Sequence, residues 1–402
     1  MTTMIEAYFS QLETALARKL EQKATARRRF IYEIARIGNR MFSPDWKSAW
    51  TTVFVPFEIL DAMGVAGNFI EFVGAMLSGT GTAKQYLEKA ESTGLSTDGC
   101  SYHRTIIGAA MDGLLPEPDL LIGSSFPCDG GLKALCHVGE IYNKDVFIIN
   151  TPFDSSPEAI KYLAGQYRDM ITFITNQTGR TLDYDRLRKC IRNNNIAHGY
   201  FAEMMELCKK VPSPATSDDL KNFIIYVLLG GSDSVVEVGR AFRDEFRYKA
   251  DNNIAGLPGE KFRLLWIQNR IQFPNNLIKL LEERFKANVV IDELNHLYWN
   301  PLDEDEDPLI ALARRQVTHP LVGPAERRLE VLVELARDYR VDGAINPAHW
   351  GCRQSSGIRH LFNDTLQNID VPVLHLDVDC VDERNFSEGQ IITRLEAFME
   401  ML

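Results

Sequence analysis

Seven cysteines are spread along the 402 residues, at positions 100, 128, 136, 190, 208, 352 and 380. A thiolate suits iron, zinc or nucleophilic chemistry better than any other side chain. None of the seven forms a Cys-x-x-Cys pair, so the local spacing of a zinc ribbon, a thioredoxin-type site or a bacterial ferredoxin is absent. Any metal site must be assembled by the fold. An odd, dispersed set also argues against a disulfide framework and fits a reducing compartment.

The elements that would bring such residues together read as strands alternating with helices. Short apolar runs at 51–55, 119–123 and 146–150 are each followed by a helical pattern, the first of them (58–63) closing on Gly64. After a largely helical stretch from 155 to 255 the rhythm returns, with strand candidates at 262–268, 289–293, 343–347 and 371–377. Continuous apolar strands joined by helices imply parallel sheets covered on both faces. The expected fold is α/β: two doubly wound parallel-sheet domains (46–160 and 259–402), N-terminal helices (1–45) and a helical connecting region (161–258). Ser387 and Gln390 have the spacing of a capping box for a final helix.

In open α/β sheets, ligands collect beyond the carboxyl ends of the strands. Cys128, Cys352 and Cys380 follow strand candidates by short loops, and Cys100 directly precedes a helical pattern, where free N–H groups favour a thiolate. Cys136, Cys190 and Cys208 fall inside helical patterns and read as small buried hydrophobes. Glycines 99, 130, 131 and 351 flank the first group and permit close backbone approach. Such a thiolate set, drawn from both domains, suits iron–sulfur or zinc. His349 lies three residues from Cys352 and is a candidate for the same site.

Composition narrows the function further. Hydrophobic residues at 45% and charged residues at 25% describe an ordinary globular chain, and a net charge of -11 repels a phosphate backbone, so nucleic acid is not an expected partner. No apolar run approaches the roughly 20 residues that span a bilayer, and the N-terminus reads as neither signal nor transit peptide, so a cytoplasmic location is expected. There is no phosphate-binding loop, no His-Glu-x-x-His and no nucleophile elbow. The carboxylate run 303–307 lacks the alternating ligands of a calcium loop and is assigned no chemistry.

Several short motifs in fixed order carry a family resemblance: Val55-Pro56-Phe57-Glu58-Ile59-Leu60 with Gly64, Cys100-Ser101-Tyr102, Pro118-Asp119-Leu120 leading to Cys128-Asp129-Gly130, His349-Trp350-Gly351-Cys352-Arg353, and Arg384-Asn385 followed by Thr393-Arg394-Leu395-Glu396-Ala397-Phe398. From about residue 50 onward the chain resembles the cluster-bearing subunits of 2-hydroxyacyl-CoA dehydratases and benzoyl-CoA reductases, together with the double-cubane cluster proteins. The resemblance implies a 4Fe-4S cluster on Cys100, Cys128 and Cys352, and supplies no role for Cys380. It implies an acyl-CoA substrate, a related second subunit or a homodimer, and a separate ATP-hydrolysing iron–sulfur activator. That division of labour fits the missing phosphate-binding loop. Arg384, Asn385 and Arg394 are the expected substrate contacts, and Glu58 and His349 the candidates for acid–base work. The alternatives are a double-cubane 8Fe-9S cluster, which would need further cysteines such as Cys136 or Cys380, and a non-enzymatic α/β binding module.

Overall fold

The computed structural model describes residues 4–296 and 300–402. It contains two four-stranded, wholly parallel sheets. The first is built from β1 (Lys47–Thr51), β2 (Val65–Phe69), β3 (Leu120–Ser124) and β4 (Val146–Ile149) in the order β2-β1-β3-β4. The second repeats that order with β5 (Phe262–Trp266), β6 (Ala287–Asp292), β7 (Gly343–Pro347) and β8 (Val373–Leu376), as β6-β5-β7-β8. The expected α/β architecture with two parallel sheets is the one observed.

Alternation along the strands shows why both faces must be covered. In β3, Leu120 and Ile122 enter one hydrophobic core while Leu121 enters the other; in β5, Leu265 and Leu264 divide in the same way. Each core draws residues from both sheets, so the two halves share continuous apolar packing on either side. The N-terminal helices Met4–Gln22 and Ala26–Arg40 add Phe9 to one core and Phe30 and Ile34 to the other. Helices Pro157–Thr178, Tyr184–Cys208 and Asp233–Asp251 fill most of the stretch between the sheets. Among the described residues no helix is long and apolar enough to cross a membrane.

Two sequence expectations shift. The first strand lies at Lys47–Thr51 rather than 51–55: its residues pair with both β2 and β3, whereas 53–56 leave the sheet at its carboxyl end and line cavities. The Val-Ala-Gly-Asn-Phe segment of β2 carries no strong strand pattern, yet it is fully buried. Its Gly67 is required because an added Cβ would sit 2.6 Å from Leu60 and 2.9 Å from Phe57 of the preceding helix. At the C-terminus Ser387 does occupy the N-cap of the helix Glu388–Met401, but its side chain makes no capping bond.

Candidate functional site

The order β2-β1-β3-β4 reverses direction between β1 and β3, and the second sheet does the same between β5 and β7; a crevice opens at each such point. The two crevices face one another across a shared cavity of about 560 Å³. Cys100, Cys128 and Cys352 all line it, with His103, Glu71 and Gln268. Cys136 and Cys380 do not.

Cys100 and Cys128 are both N-cap residues, of the helices Ser101–Met111 and Asp129–Tyr142. Their side chains therefore lie where backbone N–H groups have no intrahelical partner, and neither sulfur makes a capping bond of its own. Cys352 sits in the loop after β7, its backbone N–H donating to the His349 carbonyl at 3.2 Å. Glycine makes the approach of these loops possible. Gly351 has φ +70, and a Cβ there would fall 2.5 Å from the Cys100 amide nitrogen. Gly130 and Gly131 form a second bare surface: Cβ atoms there would meet the His103 ring, Cys128 Sγ and Glu71.

Two imidazoles flank Cys100, and their hydrogen bonds assign them different states. His349 is fully buried, and its Nδ1 accepts the Cys380 backbone N–H at 3.0 Å. A backbone amide can only donate, so Nδ1 carries no proton and the neutral ring holds its hydrogen on Nε2, which points at Cys100 Sγ 3.3 Å away. His103 instead lies between the Cys100 sulfur and Glu71 Oε1, the latter 3.4 Å from its Nε2. Burial disfavours its cation, but the two anionic neighbours raise it well above the usual imidazole range. For Cys100 burial likewise opposes charge, and the charged His103 together with the hydrogen bond from His349 outweighs it to lower the thiol. Burial pushes Cys128 and Cys352 up.

Among the described residues no three His, Cys, Asp or Glu donors are close enough to hold a single metal ion. The donor set that does exist is three separated thiols around a cavity with room between them, which fits a multi-iron cluster better than a mononuclear ion.

This geometry belongs with a sequence match over most of the chain: residues 52–402 match the family described as 2-hydroxyglutaryl-CoA dehydratase, D-component. The chain belongs to that family. It is similar to the (R)-phenyllactyl-CoA dehydratase alpha subunit of Clostridium sporogenes, at 24% identity over 89% of each chain. It is also similar to the lactoyl-CoA dehydratase subunit alpha of Anaerotignum propionicum, at 24% identity over 88% of this chain and 90% of that one. A benzoyl-CoA reductase subunit of Thauera aromatica is 23% identical over 78% of each chain.

The remaining residues singled out in the sequence lie elsewhere. Glu58 is buried in a neighbouring cavity of about 100 Å³, where its Oε1 accepts from both Arg315 and Asn194 at 2.7 Å. Arg384 is held by Asp382 at 2.7 Å and Glu91 at 2.6 Å, in a network with the buried Arg104. Asn385 ends the short turn Glu383–Asn385, and Arg394 donates to the His375 carbonyl at 2.6 Å. None of these four lines the cavity that the three cysteines share. Cys380 is fully buried and meets the site through its backbone N–H on His349. His103, Glu71 and Gln268, by contrast, carry no motif of their own; only the family-like Cys100-Ser101-Tyr102 beside His103 pointed toward the region.

Proposed function

We propose that this chain is the iron–sulfur subunit of a 2-hydroxyacyl-CoA dehydratase or a related acyl-CoA reductase, and that Cys100, Cys128 and Cys352 hold a 4Fe-4S cluster. One observation carries the reading: three cysteines distant in sequence, from both sheet units, line one cavity at the crevices of a chain of this family. When bound, such a cluster supplies one low-potential electron to a thioester carbonyl, and an iron without a thiolate ligand supplies a Lewis acid.

The chain's own residues prepare that chemistry. The Nε2–H of His349 and the His103 ring stabilise charge on the Cys100 sulfur. Glu71 holds the His103 ring from its far side. Phe69, Phe72 and Met76 give the cavity an apolar wall against which an acyl chain can lie without water. The relatives named as alpha subunits support a partner subunit for this chain, and the absence of a phosphate-binding loop leaves ATP hydrolysis to a separate activator.

The test is iron and acid-labile sulfide on protein purified without oxygen. About four irons per chain are expected. Cys100→Ser, Cys128→Ser and Cys352→Ala should each lose most of the iron and the brown colour, while Cys190→Ala keeps both. Intact colour in Cys352→Ala refutes the ligand set.

A further inference from the structure

Strand β5 ends at Trp266, and the chain turns sharply just beyond it: the Ile267 N–H still bonds the Ile345 carbonyl of β7 at 2.8 Å, while Gln268 stands at φ +65. That left-handed region suits glycine and disfavours a side chain, so a glutamine there is held by its surroundings. Its backbone N–H donates to Glu293 Oε2 at 3.0 Å, and Arg328 fixes that buried carboxylate through a bond of 2.8 Å. Glycine at 268 would keep the same backbone bond without the strain. What the left-handed backbone achieves here is therefore the placing of the side chain.

The side chain is 5% exposed and lines the shared cavity. Its Nε2 lies 4.0 Å from Cys352 Sγ. A thiolate can only accept, so the amide nitrogen faces the sulfur and the carbonyl end turns away from it. That oxygen, Oε1, is buried with no hydrogen-bond partner. A buried acceptor without a donor costs free energy until a ligand supplies one. Glu71 Oε2 is another unpartnered acceptor on the cavity, but it belongs to a carboxylate whose other oxygen meets the His103 ring. The Gln268 oxygen is neutral, so it calls for an uncharged O–H or N–H rather than for a cation.

Resting on the acyl-CoA reading above, we propose that Gln268 is the residue that recognises the 2-hydroxyl of the substrate, its Oε1 accepting the O–H while its Nε2 faces Cys352. Both atoms belong to one planar amide, so a group bound to the oxygen lies beside the thiols. In a 2-hydroxyacyl thioester the hydroxyl sits on the carbon next to the carbonyl, and it arrives with the reacting end. The nearest N–H of coenzyme A lies on the far side of the thioester sulfur. Gln268 is then a specificity-determining residue: it distinguishes a hydroxylated acyl group from the same group without the oxygen, because only the first satisfies the buried acceptor.

Calorimetry on the full chain, purified without oxygen, with any co-purifying subunit left in place and no reductant added, tests this directly. The probes are butanoyl-CoA and each enantiomer of 2-hydroxybutanoyl-CoA, which differ from it only in the hydroxyl. The better-bound enantiomer is expected to bind about ten-fold more tightly than butanoyl-CoA, as one buried hydrogen bond would give. Gln268→Met keeps the length of the side chain without the amide, and Gln268→Gly removes it at a φ that favours glycine. Both should erase most of the preference and leave butanoyl-CoA affinity unchanged, with iron per chain and urea midpoint near those of the parent. Equal binding of the hydroxylated and plain thioesters to the parent chain overturns the proposal. So does a preference that survives both substitutions, or an equal loss of all the probes in them, which would mean that the amide reads coenzyme A instead. If none of the thioesters binds the parent chain, the acyl-CoA reading itself fails and takes this inference with it.

Discussion

Gly351→Ala isolates the contact on which the shared site depends. The residue has φ +70, and an added Cβ would lie 2.5 Å from the Cys100 nitrogen, 2.7 Å from the Gly99 carbonyl carbon and 2.8 Å from the Asp98 oxygen. All three are backbone atoms, so no side chain can swing aside. Gly113 is the control, since its φ is +69 and the same added atom meets nothing within 4 Å. The left-handed backbone costs both variants about 1–2 kcal/mol. Relieving an overlap of roughly 1 Å in packed backbone adds about 1–3 kcal/mol at position 351 alone, or else parts the loops that carry Cys100 and Cys352. Urea unfolding and iron content of the two variants, measured side by side without oxygen, should show Gly351→Ala with the lower midpoint and the lower iron. Equal midpoints and equal iron would refute the idea that these two loops are held together by close backbone packing.

Other expectations follow from individual contacts. Burial, with the Arg315 charge adding to it, pushes the half-buried His319 down to about 3, and its Nδ1 accepts the Leu321 N–H at 3.1 Å. A ring depressed below its unfolded value of about 6.5 contributes fully above that pH and loses its contribution as pH falls toward 3. Stability should therefore drop between pH 6.5 and 4 by at most about 1.4 kcal/mol per unit from this ring, and His319→Asn should flatten the slope of midpoint against pH. Arg315→Met leaves Glu58, 4% exposed, without its cation and should cost about 3–5 kcal/mol, with Glu58→Gln in the same chain restoring part of it; thermal unfolding of the single and double variants decides. Nitrogen-15 spectra of the metal-free chain should show His349 neutral with its proton on Nε2, and a charged ring would contradict the hydrogen-bond assignment.

The sheets were readable wherever a strand is a plain apolar run: 343–347 matches β7 residue for residue, and 119–123 differs from β3 by one position. β2 was not, because Gly67 and Asn68 look like turn residues until the packing of Leu60 and Phe57 on Gly67 is known. Chain position put Cys100, Cys128, Cys352 and also Cys380 at one end of the fold, since residues just past parallel strands or just before helices collect there; only the family resemblance separated the first three, which line the cavity, from Cys380, which does not. His103 and Glu71 were not legible, because their pairing depends on how the helix Ser101–Met111 packs against Ile70–Gly79, a contact with no signature in local periodicity. Arg384 reads as a ligand contact in a polar loop, but carboxylates from both halves of the molecule surround it.

Those carboxylates explain why the site cannot be a property of either half alone. Each cysteine loop is fastened by the opposite unit: Arg353 and Gln354, just beyond Cys352, bond Asp129 and the Pro127 carbonyl on either side of Cys128. Ser101, next to Cys100, donates to Asp379 next to Cys380, and Ser78 donates to the Val381 carbonyl at 2.9 Å. The exposed Arg353–Asp129 pair contributes little by itself. The Ser101–Asp379 bond and the Arg104 contacts to Asp379 and Asp382 are buried, with Glu91 at their edge, so removing the Arg104 charge would leave the buried Asp379 without its guanidinium. Closure of the two sheet units and convergence of the three thiols are thus the same structural event. Strain anywhere along this join should appear as loss of whatever the thiols hold before it appears as global unfolding, because the two cores beneath remain packed.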